Sequence, residues 1–302
     1  MSQHRQPLIV ILGPTASGKT RLAVELAQRL DGAIISADSR QLFRGMDIGT
    51  GKDLAEYGAI PYYLIDTLDP GTPYNVSQYR QDALTVLHEV RQSGKWPILC
   101  GGTGMYIQTL LQGMPYSDVP VDEDLRGSLE QLPTEMLTQQ LSQLALPENF
   151  TPDTSTRKRI IRALEIATWY RENPQGIPSA QPVDALVFGL KLPLEERRQR
   201  ITTRLEHRLQ HGLVAEVQRL LDQSLSPAQL IRYGLEYKYV TEYLLGQLDC
   251  PTLFARLNTE IHRFAKRQMT YFRKMEKDGI AIQWLEANSA REVIHRRVEE
   301  YF

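Results

Sequence analysis

One stretch decides the fold: Gly13-Pro14-Thr15-Ala16-Ser17-Gly18-Lys19-Thr20. It matches the G-x-x-x-x-G-K-[ST] pattern of a phosphate-binding loop. An apolar run over residues 8–12 precedes it and predicts a buried strand, and apolar residues at helical spacing over residues 19–30 predict a helix after it. Strand, loop and helix therefore come in the order that the pattern requires.

The residue types in this loop favour an anion as the ligand. Gly13 and Gly18 allow the backbone to approach a phosphate closely, and the first N–H groups of the helix have no intrahelical partner. Lys19 adds a positive charge, and the hydroxyl of Thr20 can bind Mg²⁺. The predicted diphosphate-binding or nucleotide-binding residues are Gly13, Pro14, Thr15, Ala16, Ser17, Gly18, Lys19 and Thr20. The alternative is a tight turn that binds nothing.

Composition limits the class of protein. The 302 residues carry a net charge of -1, which excludes a uniformly basic nucleic-acid binder but not a local basic patch. Two cysteines, Cys100 and Cys250, are too few for a structural zinc site or a disulfide framework. No run of about 18 apolar residues occurs. We expect a cytoplasmic monomer that does not enter a membrane.

Acidic residues end two of the next predicted strands. A second strand over residues 33–37 leads into Asp38, and a third over residues 61–66 ends in Asp66. Ligands of open parallel sheets bind at the carboxyl ends of strands, so Asp38 is a candidate metal ligand or catalytic base, with a helix N-cap as the alternative. Asp66 is its rival for the metal-binding role, and Lys52, in a glycine-rich loop, is a candidate phosphate contact.

A glycine loop follows the fourth predicted strand, over residues 97–100. The loop is Gly101-Gly102-Thr103-Gly104, in which the backbone can approach a ligand closely and Thr103 can offer a hydroxyl. An ordinary strand-to-helix turn has the same appearance. A helix over residues 75–94 precedes this strand.

Strands that alternate with helices predict an α/β fold, here a P-loop NTPase-like parallel sheet flanked by helices. The pattern is interrupted over residues 116–184, where leucine spacing predicts short helices, and it resumes with a last parallel strand over residues 185–192. We predict a P-loop core domain made of residues 1–115 and 185–302, with its C-terminal helices, and a small all-helical insertion domain made of residues 116–184.

Basic residues concentrate in two helices. Lys158, Arg159 and Arg162 share a face of a helix in the insertion, which predicts either a solvated surface or a contact with a phosphate backbone. A long helix over residues 195–221 carries charges of both signs, and some of its arginines can turn inward towards a diphosphate.

Several motifs together resemble the tRNA dimethylallyltransferases, also called tRNA isopentenyltransferases. The motifs, in the family's order, are residues 13–20, Asp38-Ser39, residues 44–50, Gly101-Gly102-Thr103, residues 159–165 and residues 264–269. The resemblance implies transfer of a dimethylallyl group from its diphosphate to N6 of adenosine 37 in tRNA, giving N6-dimethylallyladenosine and pyrophosphate, with Mg²⁺ as cofactor.

The resemblance also implies roles for individual residues. Asp38 matches the base that takes the proton of the adenine amine, and Lys19 together with Mg²⁺ on Thr20 would hold the leaving diphosphate. The implied contacts to the tRNA anticodon stem-loop are Asp38, Ser39, Arg40, Gln41, Thr103, Arg126, Lys158, Arg159 and Arg162.

One motif departs from the family. The family often has Gly-Tyr-Arg where this chain has Gly234-Leu235-Glu236, so the RNA contact expected there is open. Three other functions remain as alternatives: an isopentenyltransferase acting on free adenine nucleotides, a P-loop small-molecule kinase that uses ATP, and an RNA-binding module without catalysis.

Overall fold

A parallel β-sheet forms the centre of the protein in a computed structural model, which describes residues 6–113, 116, 118–147, 150–176, 181–287 and 289–301. Its strands are Leu8–Leu12 (β1), Gly32–Ser36 (β2), Tyr62–Tyr63 (β3), Trp96–Gly101 (β4), Ala185–Lys191 (β5) and Gln283–Glu286 (β6). Their order across the sheet is β3-β2-β4-β1-β5-β6, and every neighbouring pair is parallel. The predicted α/β fold is confirmed.

Helices account for most of the remaining described chain. They are Lys19–Leu30 (α1), Val76–Gln92 (α2), Gly104–Gln112 (α3), Glu123–Leu129 (α4), Thr134–Gln143 (α5), Arg157–Glu172 (α6), Leu194–Gln210 (α7), Leu213–Asp222 (α8), Pro227–Leu230 (α9), Leu235–Leu244 (α10), Cys250–Lys277 (α11) and Ala290–Glu299 (α12). Within the described ranges, none of them combines the length and the apolar character needed to cross a bilayer.

The chain divides into two compact units. The first consists of Met1–Leu111 and Val183–Phe302 and contains the sheet, and the second is Gln112–Pro182. The two segments of the first unit meet where the Val183 N–H donates to the Leu111 carbonyl at 2.9 Å. In the second unit, α4, α5 and α6 enclose a separate core around Leu137, Leu141 and Ile161.

Strand β1 shows why the sheet lies in the middle of the first unit. Side chains alternate between the two faces of a strand, and here Leu8, Val10 and Leu12 enter one hydrophobic core while Ile9 and Ile11 enter the other. All five are fully buried. Burying an aliphatic side chain stabilises a fold by about 1.5–3 kcal/mol, so both layers of helices depend on this strand.

Two predictions about the C-terminal half were wrong. Residues 185–192 were predicted to form the last parallel strand, but β6 follows and pairs with β5 in parallel. The predicted single helix over residues 195–221 is two helices, because Gly212 adopts a positive φ of 101° and ends the first of them. An α-helix requires negative φ, whereas glycine accepts positive φ without steric cost.

Helix α2 begins with a capping box at Asn75. The Asn75 side chain accepts hydrogen bonds from the N–H groups of Ser77 and Gln78, and the Gln78 side chain accepts one from the Asn75 N–H. Asn75→Ala is expected to lower the free energy of unfolding by about 1 kcal/mol. Urea denaturation measures this change, with Gln81→Ala as the control at an exposed position of the same helix. Equal stability of the two variants would show that the cap is not needed.

Candidate active site

The phosphate-loop sequence lies between β1 and α1, at the carboxyl end of the central strand. Gly18 is the N-cap of α1, with a φ of 82° that favours glycine, and no side chain caps the helix. The N–H groups of the first turn are therefore open to a ligand, and the partial positive charge of the helix N-terminus favours an anion.

The loop forms one wall of a pocket of about 350 Å³. Strands β2, β4 and β1 are adjacent in the sheet, so the residues that follow their carboxyl ends meet here. Side chains of α7, α10 and α11 close the pocket from the other side. The lining residues include Thr15, Lys19, Thr20, Asp38, Ser39, Arg40, Gln41, Thr103, Arg204, Arg208, Glu236, Phe264, Arg267 and Gln268.

Positive charge dominates one side of this pocket. Burial lowers the pKa of Lys19, and the neighbouring Cys100 and Asp38 act against that shift. Burial, with the nearby Arg208, lowers the pKa of Arg204 to about 10, so the guanidinium stays protonated at neutral pH. Arg204 also donates a hydrogen bond to the hydroxyl of Thr15 in the loop. An anionic ligand would stabilise these desolvated cations.

Arg204 and Arg208 were not singled out from the sequence. The prediction was only that some arginines of this helical segment turn inward. The signal is their spacing, because Ile201, Leu205 and Arg208 form the buried stripe of α7 and Arg204 lies beside it. Arg200, by contrast, is exposed and pairs with Glu196 at 2.6 Å.

Asp38 follows β2 and faces the same pocket as Lys19. Its Oδ1 accepts a hydrogen bond from the N–H of Arg40 at 3.1 Å, which is a local turn of the kind that aspartate favours. Among the described residues, its Oδ2 has no hydrogen-bond partner. The alternative of a helix N-cap was wrong, because the described residues that directly follow Asp38 form no helix. One oxygen of Asp38 shapes the turn, and the other can accept a proton.

The glycine loop after β4 packs against the chain itself. A Cβ on Gly101 would come within 2.2 Å of the Ala37 carbonyl oxygen, so this position accepts only glycine. At Gly101 this is a close approach of β4 to the end of β2. Gly102 and Gly104 also line the pocket, so the approach of this loop to a ligand stays a prediction. Thr103 has its hydroxyl at the pocket, where it accepts a hydrogen bond from the Ser39 N–H at 3.1 Å.

Gln268, which was quoted as part of a motif but given no role, joins the two loops. Its Oε1 accepts from the Thr15 N–H at 2.8 Å, and its Nε2 donates to the Gly102 carbonyl at 3.0 Å. The buried side of α11 therefore fixes the phosphate-loop sequence against the loop after β4.

Lys52 was predicted to contact a phosphate, and this prediction was wrong. Its ammonium group is fully buried and donates to the Phe43 carbonyl at 2.6 Å, to Asp47 at 2.7 Å and to Asp66. An ammonium has three donors, and all three are used. The same contact removes Asp66 as the rival of Asp38, because Asp66 holds Lys52 and is not among the residues that line the pocket.

The predicted RNA contacts of the second unit fall into two groups. Arg126 and Arg162 both pair with the buried Glu165, at 2.8 Å and 3.5 Å, and so contribute to the structure of this unit. Lys158 and Arg159 are exposed on α6, and Arg159 pairs with Asp153 at 2.6 Å in solvent. Lys158 and Arg159 are better placed to bind a phosphate backbone, because an exposed cation can exchange its carboxylate partner for a phosphate at little cost in free energy.

The donor set of the pocket fits a magnesium ion. Among the described residues, no cluster of three His, Cys, Asp or Glu side chains is placed to hold a metal. Mg²⁺ does not need one, since it keeps several waters and takes one or two protein oxygens together with substrate phosphates. Thr20 and Asp38 supply such oxygens in the same pocket.

Cys100 provides a chemical reporter of this pocket. Burial raises the pKa of its thiol to about 11, although Lys19 and the hydroxyl of Thr20 act in the opposite direction. Cys250 is exposed at the start of α11. The thiolate is the reactive form, so iodoacetamide at pH 8 is expected to alkylate Cys250 first, and Cys100 only as the pH approaches 11. Peptide mass spectrometry follows both sites, and equal rates at pH 8 would contradict the burial of Cys100.

The fold and the pocket define a class: a parallel α/β protein with a phosphate-loop sequence beside a cation-lined pocket. A family model described as IPP transferase matches residues 41–275, and one described as isopentenyl transferase matches residues 6–67. The first covers more than half of the chain.

Relatives cover nearly the whole chain. A protein named tRNA dimethylallyltransferase 2 from Bacteroides fragilis is 48% identical over 95% of this chain and 94% of its own. Another protein of the same name, from Phocaeicola vulgatus, is 49% identical over 94% of both chains. The crystal structure of the full-length tRNA isopentenylpyrophosphate transferase from Bacillus halodurans is 30% identical and covers 98% of both chains with a TM-score of 0.71. A eukaryotic dimethylallyltransferase acting on tRNA, 23% identical with a TM-score of 0.77, shares the fold over 93% of this chain and 74% of its own.

The chain belongs to the IPP transferase family, and the family predicted from its motifs is confirmed. It is therefore a transferase.

Proposed function

We propose that this transferase moves a dimethylallyl group from dimethylallyl diphosphate to N6 of adenosine 37 in tRNA. The new bond joins N6 to the allylic carbon, the bond from that carbon to the diphosphate oxygen breaks, and pyrophosphate leaves. One observation carries the proposal: two cations, Lys19 and Arg204, line the same pocket as the carboxylate of Asp38.

The cationic side of the pocket would bind the diphosphate. Negative charge grows on the leaving oxygens as the carbon–oxygen bond breaks, and fixed positive groups stabilise it most when they are partly desolvated. Lys19, Arg204 and the open N–H groups at the start of α1 meet both conditions. This accounts for a nucleotide-kinase type of loop in an enzyme that transfers no phosphate.

The carboxylate of Asp38 would take the proton from the adenine amine. An exocyclic amine is a weak nucleophile, and removing its proton as the new bond forms prevents a build-up of positive charge on N6. The proton then passes to solvent. Magnesium, held through Thr20 and the diphosphate, would supply charge neutralisation at the leaving group.

The tRNA would bind through two half-buried hydroxyls and through exposed cations. The hydroxyls of Ser39 and Thr103 lie at the same pocket as Asp38 and form a hydrogen bond of 3.4 Å with each other, while the side chains of Arg40 and Gln41 are engaged elsewhere within the protein. A base must leave the stack of the anticodon loop before an enzyme can alkylate its amine. In the second unit, Lys158 and Arg159 are the exposed cations that we propose contact the phosphate backbone.

The test is a product analysis with separate acceptors. Purified protein, Mg²⁺ and dimethylallyl diphosphate are incubated with unmodified tRNA, with AMP or with ATP, and the nucleosides are then separated and weighed. We expect N6-dimethylallyladenosine only in the incubation that contains tRNA. Product from AMP or ATP would support the alternative, an isopentenyltransferase that acts on free adenine nucleotides. Phosphate transfer from ATP would support a kinase.

A further inference from the structure

Glu236 stands where the Gly-Tyr-Arg motif has an arginine, and it lies in the pocket wall with 6% of its surface exposed. A buried carboxylate is costly unless it is paired. Its two oxygens pair with different arginines: Oε2 lies 3.2 Å from Nη1 of Arg40, and Oε1 lies 3.8 Å from Nη1 of Arg208.

The side chain of Arg40 is held on three sides. Besides the ion pair with Glu236, its guanidinium carbon lies 4.8 Å from the centre of the Phe264 ring, a cation–π geometry. It also packs on Gly234, where an added Cβ would come within 2.7 Å of the same carbon. Helices α10 and α11 therefore fix the orientation of this arginine.

The backbone of Arg40 holds the proposed base. Its N–H donates to Oδ1 of Asp38 at 3.1 Å, and the preceding N–H, of Ser39, donates to Thr103 at 3.1 Å. The turn that carries Asp38 is thus tied to the loop after β4 through Ser39 and to α10 through Arg40. The Arg40 residue therefore contacts Glu236 through its side chain and Asp38 through its backbone.

We propose that Glu236, acting through Arg40, is a positioning residue for Asp38. The inference rests on the proposed transfer reaction, in which Asp38 is the base. On this view the charge of Arg40 holds the catalytic turn and does not bind tRNA phosphate, and an acidic residue on α10 is required because its partner on the turn is basic. Arg208 fixes the second oxygen of Glu236 and so limits its rotation.

The experiment measures the single-turnover rate of transfer to tRNA with both substrates saturating, and the KM of each substrate in steady-state assays. Glu236→Gln and Arg40→Ala are each expected to lower the rate roughly 10- to 100-fold, the loss typical of a displaced catalytic group, without changing the KM for tRNA or for dimethylallyl diphosphate. Arg40→Lys keeps the charge and is expected to retain part of the rate. Arg44→Ala is the matched control, because Arg44 is exposed, pairs with Asp69 and belongs to the same segment.

A double-mutant cycle separates positioning from direct contact. If Arg40 acts only through Asp38, then adding Arg40→Ala to Asp38→Asn causes no further loss of rate. Losses that multiply, or a raised KM for tRNA that depends on salt, would overturn the inference and assign Arg40 to RNA binding. Wild-type rates in both single variants would overturn the inference alone, whereas a wild-type protein that prenylates no tRNA overturns the proposed function and this inference with it. Thermal unfolding of each variant confirms that it is folded.

Discussion

Asp38→Asn is expected to slow dimethylallyl transfer by about 10²- to 10⁴-fold, the usual contribution of a positioned general base. The affinity for tRNA is expected to stay close to that of the wild type. Asparagine keeps an oxygen that can accept the hydrogen bond from the Arg40 N–H, so the turn is preserved while the proton acceptor is lost. Single-turnover assays measure the rate, and filter binding measures the affinity.

The control for this variant is Asp53→Asn. Asp53 is an exposed residue at the same pocket and has no hydrogen bond to the catalytic turn. Retained single-turnover activity in Asp38→Asn would remove Asp38 as the base. A large loss in both variants would indicate a general electrostatic effect of negative charge on the pocket.

Lys19→Ala and Arg204→Ala are each expected to weaken binding of dimethylallyl diphosphate by about 10- to 100-fold, because a hydrogen bond to a charged group contributes roughly 1.5–3 kcal/mol. Both cations lie in the pocket, where burial lowers their pKa values and so increases what an anion can stabilise. Calorimetric titration with dimethylallyl diphosphate and Mg²⁺ measures the dissociation constant.

Arg198→Ala supplies the matched control for Arg204→Ala. Arg198 lies earlier on α7, is exposed and pairs with Glu195 at 2.8 Å. It is expected to bind the diphosphate as the wild type does. An unchanged dissociation constant in Lys19→Ala or Arg204→Ala would count against the assignment of that residue to the leaving group.

Strands β1, β2 and β4 could be predicted from sequence because their signals are local. The third strand, predicted over residues 61–66, is only Tyr62–Tyr63, because Leu64 and Asp66 adopt positive φ, which a strand excludes. Strand β1, the glycine loop and α1 are consecutive, and β2 and β4 are short apolar runs that end in polar or glycine residues. Strand β6 has no such signal. It contributes four residues at the edge of the sheet, of which Leu285 alone is buried, so its pairing with β5 depends on tertiary packing.

The candidate site could be predicted only where function follows directly from a motif. Lys19, Asp38 and Thr103 reach the pocket because each follows a strand, and parallel strands end on the same edge. The roles of Arg204, Gln268 and Glu236 depend on which face of α7, α10 or α11 meets the sheet. Lys52 was misassigned because the loop folds back on itself, so that Lys52 meets Asp47 of the same loop and Asp66 beyond it instead of the pocket.

The hydrogen bond between Val183 and Leu111 brings together the two points between which the second unit is inserted. The host chain leaves and re-enters its own fold at neighbouring points, so a short glycine-containing turn can bridge them without displacing a strand. A shortened protein of this kind would retain the phosphate-loop sequence, Asp38 and Glu236 on an intact sheet. With such a protein, the choice of acceptor could be studied separately from the binding of the prenyl donor. A different recognition domain could also be inserted at the same position.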